Sequence, residues 1–211
     1  MAVKKKIWIC CGSILAGVLC CILGIWLYFA NDPWGFSRTV SPEEAALRLQ
    51  VVNTATNYLG FNELDGTHKE IIDLYNSHKP LAMGYEVTYT DSWCSTFVSA
   101  VAVKLGLTNI IPTECGCERQ IGLFQELECW QENDSYLPLP GDLIFYAWDV
   151  KFFFGDCTGW ADHVGIVVGT AGPFLKVIEG NKEDAVGYRY IIRNHPEIRG
   201  FALPDYASVC P

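Results

Sequence analysis

Cys94 stands in the run Asp91-Ser92-Trp93-Cys94-Ser95-Thr96-Phe97-Val98-Ser99, where small polar residues able to cap a helix lead directly into an apolar helical pattern. Its sulfur is therefore expected at a helix N-terminus, where unpaired N–H groups and the positive dipole end favour a thiolate. Two further runs supply polar partners: Asp162-His163-Val164-Gly165-Ile166-Val167-Val168 and Val177-Ile178-Glu179-Gly180-Asn181. A thiol hydrolase needs a nucleophile, a base in reach of it, a group that holds the base, and donors for the oxyanion. Cys94 fits the first role and His163 the second. Glu179 and Asn181 are two residues apart, so a strand continuing through Gly180 points both toward His163. The backbone N–H of Cys94 is an oxyanion donor, with Tyr89 or Asp91 as a second group. Trp93, Tyr89, Asp91, Trp160 and Asp162 are the candidates for contacting substrate. Each of these residues also has an ordinary role available. Cysteine is often an inert core residue, His163 can sit satisfied at a strand edge, and Glu179-Gly180-Asn181 can be a turn. Trp93, Trp148 and Trp160 can line a substrate cleft or pack in a core, and Asp156 and Asp162 can tune His163 or cap a turn.

The elements that must position these groups follow from periodicity. Ser41-Pro42-Glu43-Glu44 combines an N-cap, a proline at the first helical position and a glutamate three after the serine. It opens a helix marked by Ala45, Ala46, Leu49, Val52, Ala55, Thr56 and Leu59, and stopped by Gly60. A second helix is expected from Lys69 to Asn76, followed by a loop with Pro80 and Gly84. The Cys94 helix runs to Leu105 with Gly106 as its stop, and a fourth spans Cys117 to Leu127. After Leu137-Pro138-Leu139-Pro140-Gly141-Asp142 the period changes. Leu143 to Tyr146, His163 to Val168, Phe174 to Glu179, Tyr188 to Ile192 and Ile198 to Leu203 read as strands. An aromatic, glycine-bearing loop, Lys151 to Trp160, precedes His163. Helices followed by strands with tight turns indicate an α+β fold with an antiparallel sheet.

Ahead of this domain, no charged residue occurs from Ile7 to Ala30, a run long enough to cross about 30 Å of hydrocarbon as a helix. Lys4, Lys5 and Lys6 precede it, so the positive-inside rule puts residues 1–6 in the cytoplasm and the rest outside. A cleaved signal peptide is the rival, but the run is long for one and Tyr28-Phe29-Ala30 has a bulky residue at the cleavage pattern. The expected organisation is a cytoplasmic basic tip (1–6), a single transmembrane helix (7–30), a linker (31–40) and an extracytoplasmic catalytic domain (41–211). Three of the 15 basic residues lie before Ala30 and none of the 24 acidic ones does, which leaves the exported part at 12 − 24 = −12. A surface so acidic excludes charge-driven binding of nucleic acid or anionic lipid.

Ten cysteines accompany this pattern. Cys10, Cys11, Cys20 and Cys21 fall in the apolar run. With Cys94 a free nucleophile, Cys115, Cys117, Cys129, Cys157 and Cys210 cannot all pair with one another. Cys115-Gly116-Cys117 has no second closely spaced Cys or His pair to complete a zinc site, so no metal is expected, and a disulfide or buried thiols are the alternatives.

Four segments in order carry a family resemblance: Trp93-Cys94-Ser95-Thr96-Phe97-Val98, Pro140-Gly141-Asp142-Leu143-Ile144-Phe145-Tyr146, Asp162-His163-Val164-Gly165-Ile166-Val167 and Ile178-Glu179-Gly180-Asn181. From Ser41 to Tyr206 the chain resembles the CHAP family of cysteine, histidine-dependent amidohydrolases and peptidases, which belongs with NlpC-like endopeptidases to a papain-like superfamily. The resemblance implies a papain-like fold, Cys94 as nucleophile, His163 as base, and Glu179 with Asn181 as its orienting partners. It implies no cofactor, and bacterial peptidoglycan as partner and substrate, cut either between muramic acid and the stem peptide or within the peptide. Pro112-Thr113-Glu114-Cys115-Gly116-Cys117 is similar to a segment of membrane- or phage-associated members, which implies a structural role for its cysteines. No cell-wall-binding repeat is recognisable, so the apolar span would hold the enzyme at the envelope. The alternatives are a membrane-tethered protease or acyltransferase that acts on protein, and a non-catalytic envelope-binding scaffold.

Overall fold

Ser41 starts the first helix as its type demands: held extended, its hydroxyl accepts the Glu44 N–H at 3.1 Å, and Pro42 fills the first helical position. The computed structural model describes residues 39–148 and 160–210, together with Cys20 and Leu23. Its helices are α1 (Pro42–Thr56), α2 (Lys69–Ser77), α3 (Cys94–Leu105) and α4 (Cys117–Glu126). The strands are β1 (Trp130–Gln131), β2 (Leu143–Tyr146), β3 (His163–Ala171), β4 (Phe174–Lys182), β5 (Ala185–Ile192) and β6 (Ile198–Ala202). They form one sheet in the order β1-β6-β2-β3-β4-β5, and every neighbouring pair is antiparallel. The architecture is α+β.

Every residue of β2 is buried, because the sheet is covered on both faces. Leu143, Phe145, Val164, Ile166 and Ile178 join the helix-side core, with Phe97 and Val101 of α3, Ile71 and Ile72 of α2, and Phe124 of α4. Ile144, Tyr146, Val167, Leu175, Val177, Ile191, Ile198 and Phe201 form a second, smaller core on the other face. This explains why β2 reads as a continuous apolar run rather than an alternation. Between Cys94 and Ala102 no residue of α3 is exposed, which makes it the central helix. Helix α1 is tied to the sheet by Arg48, whose guanidinium donates to Glu44 at 2.8 Å and to the buried Asp142, just before β2, at 2.7 Å.

The first helix ends at Thr56, short of the expected Leu59, with Gly60 closing the turn that follows. Strand β5 begins at Ala185 rather than Tyr188. Glu183 and Asp184 both take positive φ and form a tight two-residue turn, so pairing starts at once with Lys182 opposite Ala185. Strand β1 went unread because two residues show no period.

The transmembrane part of the expected fold is corrected. Crossing a bilayer takes about 20 consecutive apolar residues, whereas the longest described helix, α1, has 15 residues and carries Glu43, Glu44 and Arg48. Among the described residues no helix is long and apolar enough to cross a membrane. The chain divides into two units, Met1–Phe36 and Ser37–Pro211. Of the expected span 7–30 only Cys20 and Leu23, both helical, are described. The basic tip, most of the linker and of the 151–160 loop, Cys10, Cys11, Cys21, Asp156 and Cys157 lie outside the described residues.

Candidate active site

Cys94 is the first residue of α3 and lies at the edge of the helix-side core, 6% exposed. The expected side-chain cap is not there. The N-cap is Trp93, with no side-chain hydrogen bond to the first turn, so that turn's N–H groups are left to the sulfur, and the Ser95 N–H stabilises the Cys94 anion. His163 opens β3 opposite Tyr146 of β2. At the start of its strand, its imidazole interacts with the Cys94 sulfur.

Glu179 holds the ring. Its fully buried carboxylate accepts from His163 Nε2 at 3.1 Å. The same carboxylate accepts from Arg189 Nε at 2.7 and 3.0 Å. The register explains the reach. Gly165 lies two residues past His163 on the same strand face, and a Cβ there would stand 2.7 Å from Glu179 Cγ and 2.5 Å from Val177 Cγ1. The bare backbone of Gly165 leaves the lane through which Glu179 crosses to the imidazole. Gly180 does the equivalent for the helix, since a Cβ there would meet Phe97 Cβ at 2.4 Å. It lets α3 lie directly on β4, with its N-terminus beside His163.

Each charge in the site has a local physical cause. The Cys94 thiol is held well below its ordinary value, first by the hydrogen bond from Cys117, whose Sγ is 3.5 Å away, and then by His163; burial opposes both. Burial would lower His163, but the Cys94 and Glu179 anions outweigh it and push the imidazole up to about 9. Glu179 is kept below the usual carboxylate range by His163 and Arg189 against its own burial. Cys117 is raised, by the neighbouring Cys94 anion first, then by burial and Asp162. Of the two sulfurs, Cys94 carries the charge because the imidazolium is its neighbour, and Cys117 keeps its proton.

The remaining sequence candidates fall in different places. Asn181 does not share Glu179's face: at φ 54 it sits in a register shift between Glu179 and Lys182, which breaks the strand alternation on which the expectation rested. Trp93 is fully buried, its Nε1 donates to Glu63 at 2.9 Å and its ring packs 5.9 Å from His68, so it serves the core and not a cleft. Tyr89 donates its hydroxyl to Asp73 at 2.8 Å, while Asp91 accepts from Tyr85 Oη and Thr88 N–H. Both side chains are thus engaged with other partners. Trp160 is 74% exposed. Asp162 accepts the Trp148 N–H at 2.7 Å and so fixes the residue whose ring lies 5.8 Å from His163.

Sequence reasoning missed Arg189 and Tyr146 as site residues, and placed Trp148 in a cleft or a core without linking it to His163. Arg189 is a lone cation in the apolar run Val186-Gly187-Tyr188-Arg189-Tyr190-Ile191, a visible signal whose partner only the β4–β5 register reveals. Its guanidinium lies 5.4 Å from the Tyr146 ring and 4.9 Å from that of Trp148, and those two rings stack at 4.9 Å beside His163. Cys117 was seen but read as structural. Cys94, Cys115 and Cys117 are all free thiols, and among the described residues no group of three or more His, Cys, Asp or Glu is arranged to hold a metal.

Compared with known proteins, the chain matches no family model, no curated protein and no solved structure.

Proposed function

We propose that the chain is a cysteine amidohydrolase or peptidase that cleaves an amide bond of peptidoglycan outside the cytoplasm. The observation that carries the reaction class is the line Cys94, His163, Glu179, Arg189, in which the thiol, base and base-holding carboxylate occupy successive contacts. The substrate class rests on the resemblance of the Cys94, His163 and Glu179-Gly180-Asn181 segments to the CHAP family.

In this reading the Cys94 thiolate attacks the amide carbonyl, and the backbone N–H groups of the first turn of α3 receive the oxyanion. The His163 imidazolium protonates the departing amine, then as neutral imidazole takes a proton from the water that releases the acyl group. Glu179 holds the ring for both transfers and favours its cationic form. No step calls on a cofactor.

Incubating the purified protein with peptidoglycan should release soluble fragments with new amino or carboxyl ends, identified by mass spectrometry. Cys94→Ala should lower that rate by at least about 10³-fold, as removal of a covalent nucleophile does. Undiminished hydrolysis by Cys94→Ala would end the proposal, and cleavage of protein chains but not of peptidoglycan would replace its substrate.

A further inference from the structure

The hydrolytic reaction needs one sulfur, yet the site holds two in contact. Cys94 Sγ and Cys117 Sγ are 3.5 Å apart, and each is the first residue of its helix, so two helix N-termini converge on the pair. This placement is built by other side chains. Ser99 Oγ donates to the Glu114 carbonyl at 2.7 Å and accepts the Glu114 N–H at 2.9 Å, while Ser95 Oγ lies 2.9 Å from Gln120 Oε1. Together they lash the 112–117 segment to α3. Glu118, next to Cys117, accepts the Ala161 N–H at 3.0 Å, two residues before His163. Cys115 takes no part, since its sulfur lies 3.6 Å from Arg119 Nη2.

We propose that Cys94 and Cys117 are a redox-active dithiol, in which a hydroperoxide converts the nucleophile reversibly into a Cys94–Cys117 disulfide. A disulfide bond is about 2.05 Å long, so the sulfurs must approach by roughly 1.5 Å. The balance has two steps. The Cys94 thiolate attacks the peroxide ROOH, breaks the O–O bond and becomes the sulfenic acid, and the alkoxide leaves and takes up a proton to form ROH. The Cys117 sulfur then attacks the Cys94 sulfenic sulfur; the S–S bond forms, the S–O bond breaks, and water leaves with the Cys117 proton. Two electrons have passed from the dithiol to the peroxide, and a dithiol reductant returns them by exchange. His163 promotes the first step by keeping Cys94 anionic, while Cys117 stays protonated until a sulfenic acid is beside it. Formation of the disulfide is independent of which bond the enzyme cuts, whereas the loss of hydrolysis that follows rests on the proposed function.

The full-length protein is treated with hydrogen peroxide, its remaining thiols are alkylated, and the unreduced digest is mapped by mass spectrometry. The expected product is the Cys94 peptide joined to the Cys117 peptide, two hydrogens lighter than the separate pair, and dithiothreitol should restore alkylation of both. In Cys117→Ser the same treatment should carry Cys94 to a sulfinic acid that dithiothreitol does not reverse. Mapping of the unsubstituted protein decides the matter even if that variant does not fold. Cys94 oxidised to sulfinic acid with Cys117 still alkylated, Cys94 joined to another cysteine, or both thiols unchanged would each overturn the proposal. A reversible Cys94–Cys117 linkage in a protein that never cleaves peptidoglycan would retain the dithiol and reject the hydrolase.

Discussion

Replacing Glu179 by glutamine keeps the shape of the group that holds His163 and removes its charge. The His163 Nε2–Glu179 contact is 3.1 Å, at the long end for an ionic hydrogen bond, and the carboxylate is shared with Arg189 at 2.7 Å. A hydrogen bond to a charged group contributes about 1.5–3 kcal/mol, and this geometry favours the lower part of that range. At 1.36 kcal/mol per pKa unit, a loss of about 1.5–2 kcal/mol lowers the imidazolium by about 1–1.5 units. His163 should then fall from about 9 toward neutrality, so the cationic partner of the Cys94 thiolate is lost at a lower pH. Titration of the His163 imidazole, followed by NMR across pH, needs no substrate. Glu179→Gln should shift that midpoint downward by about one unit, and in a peptidoglycan assay the alkaline limb should move down with it. A His163 midpoint within a few tenths of a unit of that in the unsubstituted protein would show that Glu179 does not support the imidazolium, and the reasoning would fail. The same carboxylate has a stability signature. Its folded pKa is depressed, so its contribution is present above the ordinary 4.5 and is lost as pH falls through the folded value. The difference in Tm between the two proteins should accordingly shrink in acid.

Two further substitutions test the packing that sets the site. Gly180→Ala places a methyl group 2.4 Å from Phe97 Cβ; overpacking of this kind costs about 1–3 kcal/mol, or roughly 2–12 °C in Tm for a domain of this size, and the displaced α3 should slow Cys94 alkylation. An unchanged Tm would mean that α3 does not rest on β4 as described. Arg48→Met leaves Asp142 buried without its ion-pair partner; breaking such a pair costs about 3–5 kcal/mol, read as a lower urea midpoint. Adding Asp142→Asn should recover much of that loss, and no recovery would show that Arg48 acts through packing and not charge.

What the sequence by itself determined was local. The Ser41-Pro42 cap, the helical run from Cys94 to Leu105 and the turn cluster before Leu143 are properties of neighbouring residues, and the elements follow them closely. Cys94 at a helix start and His163 at a strand start were legible for the same reason. The transmembrane helix was an inference from hydropathy over 7–30, and no described helix supports it. The rest depended on register and close approach, which connect residues far apart in the chain. Antiparallel pairing of β4 with β5 brings Arg189 to Glu179, and a left-handed Asn181 in a register shift breaks the alternation that would have put it on the Glu179 face. Gly165 and Gly180 reveal their purpose only when a neighbouring strand and helix fill the space their side chains would take. Cys117 illustrates the limit most directly. Nothing in a spacing of 23 residues from Cys94 implies sulfur contact, and it is the docking of one helix N-terminus against another that creates it.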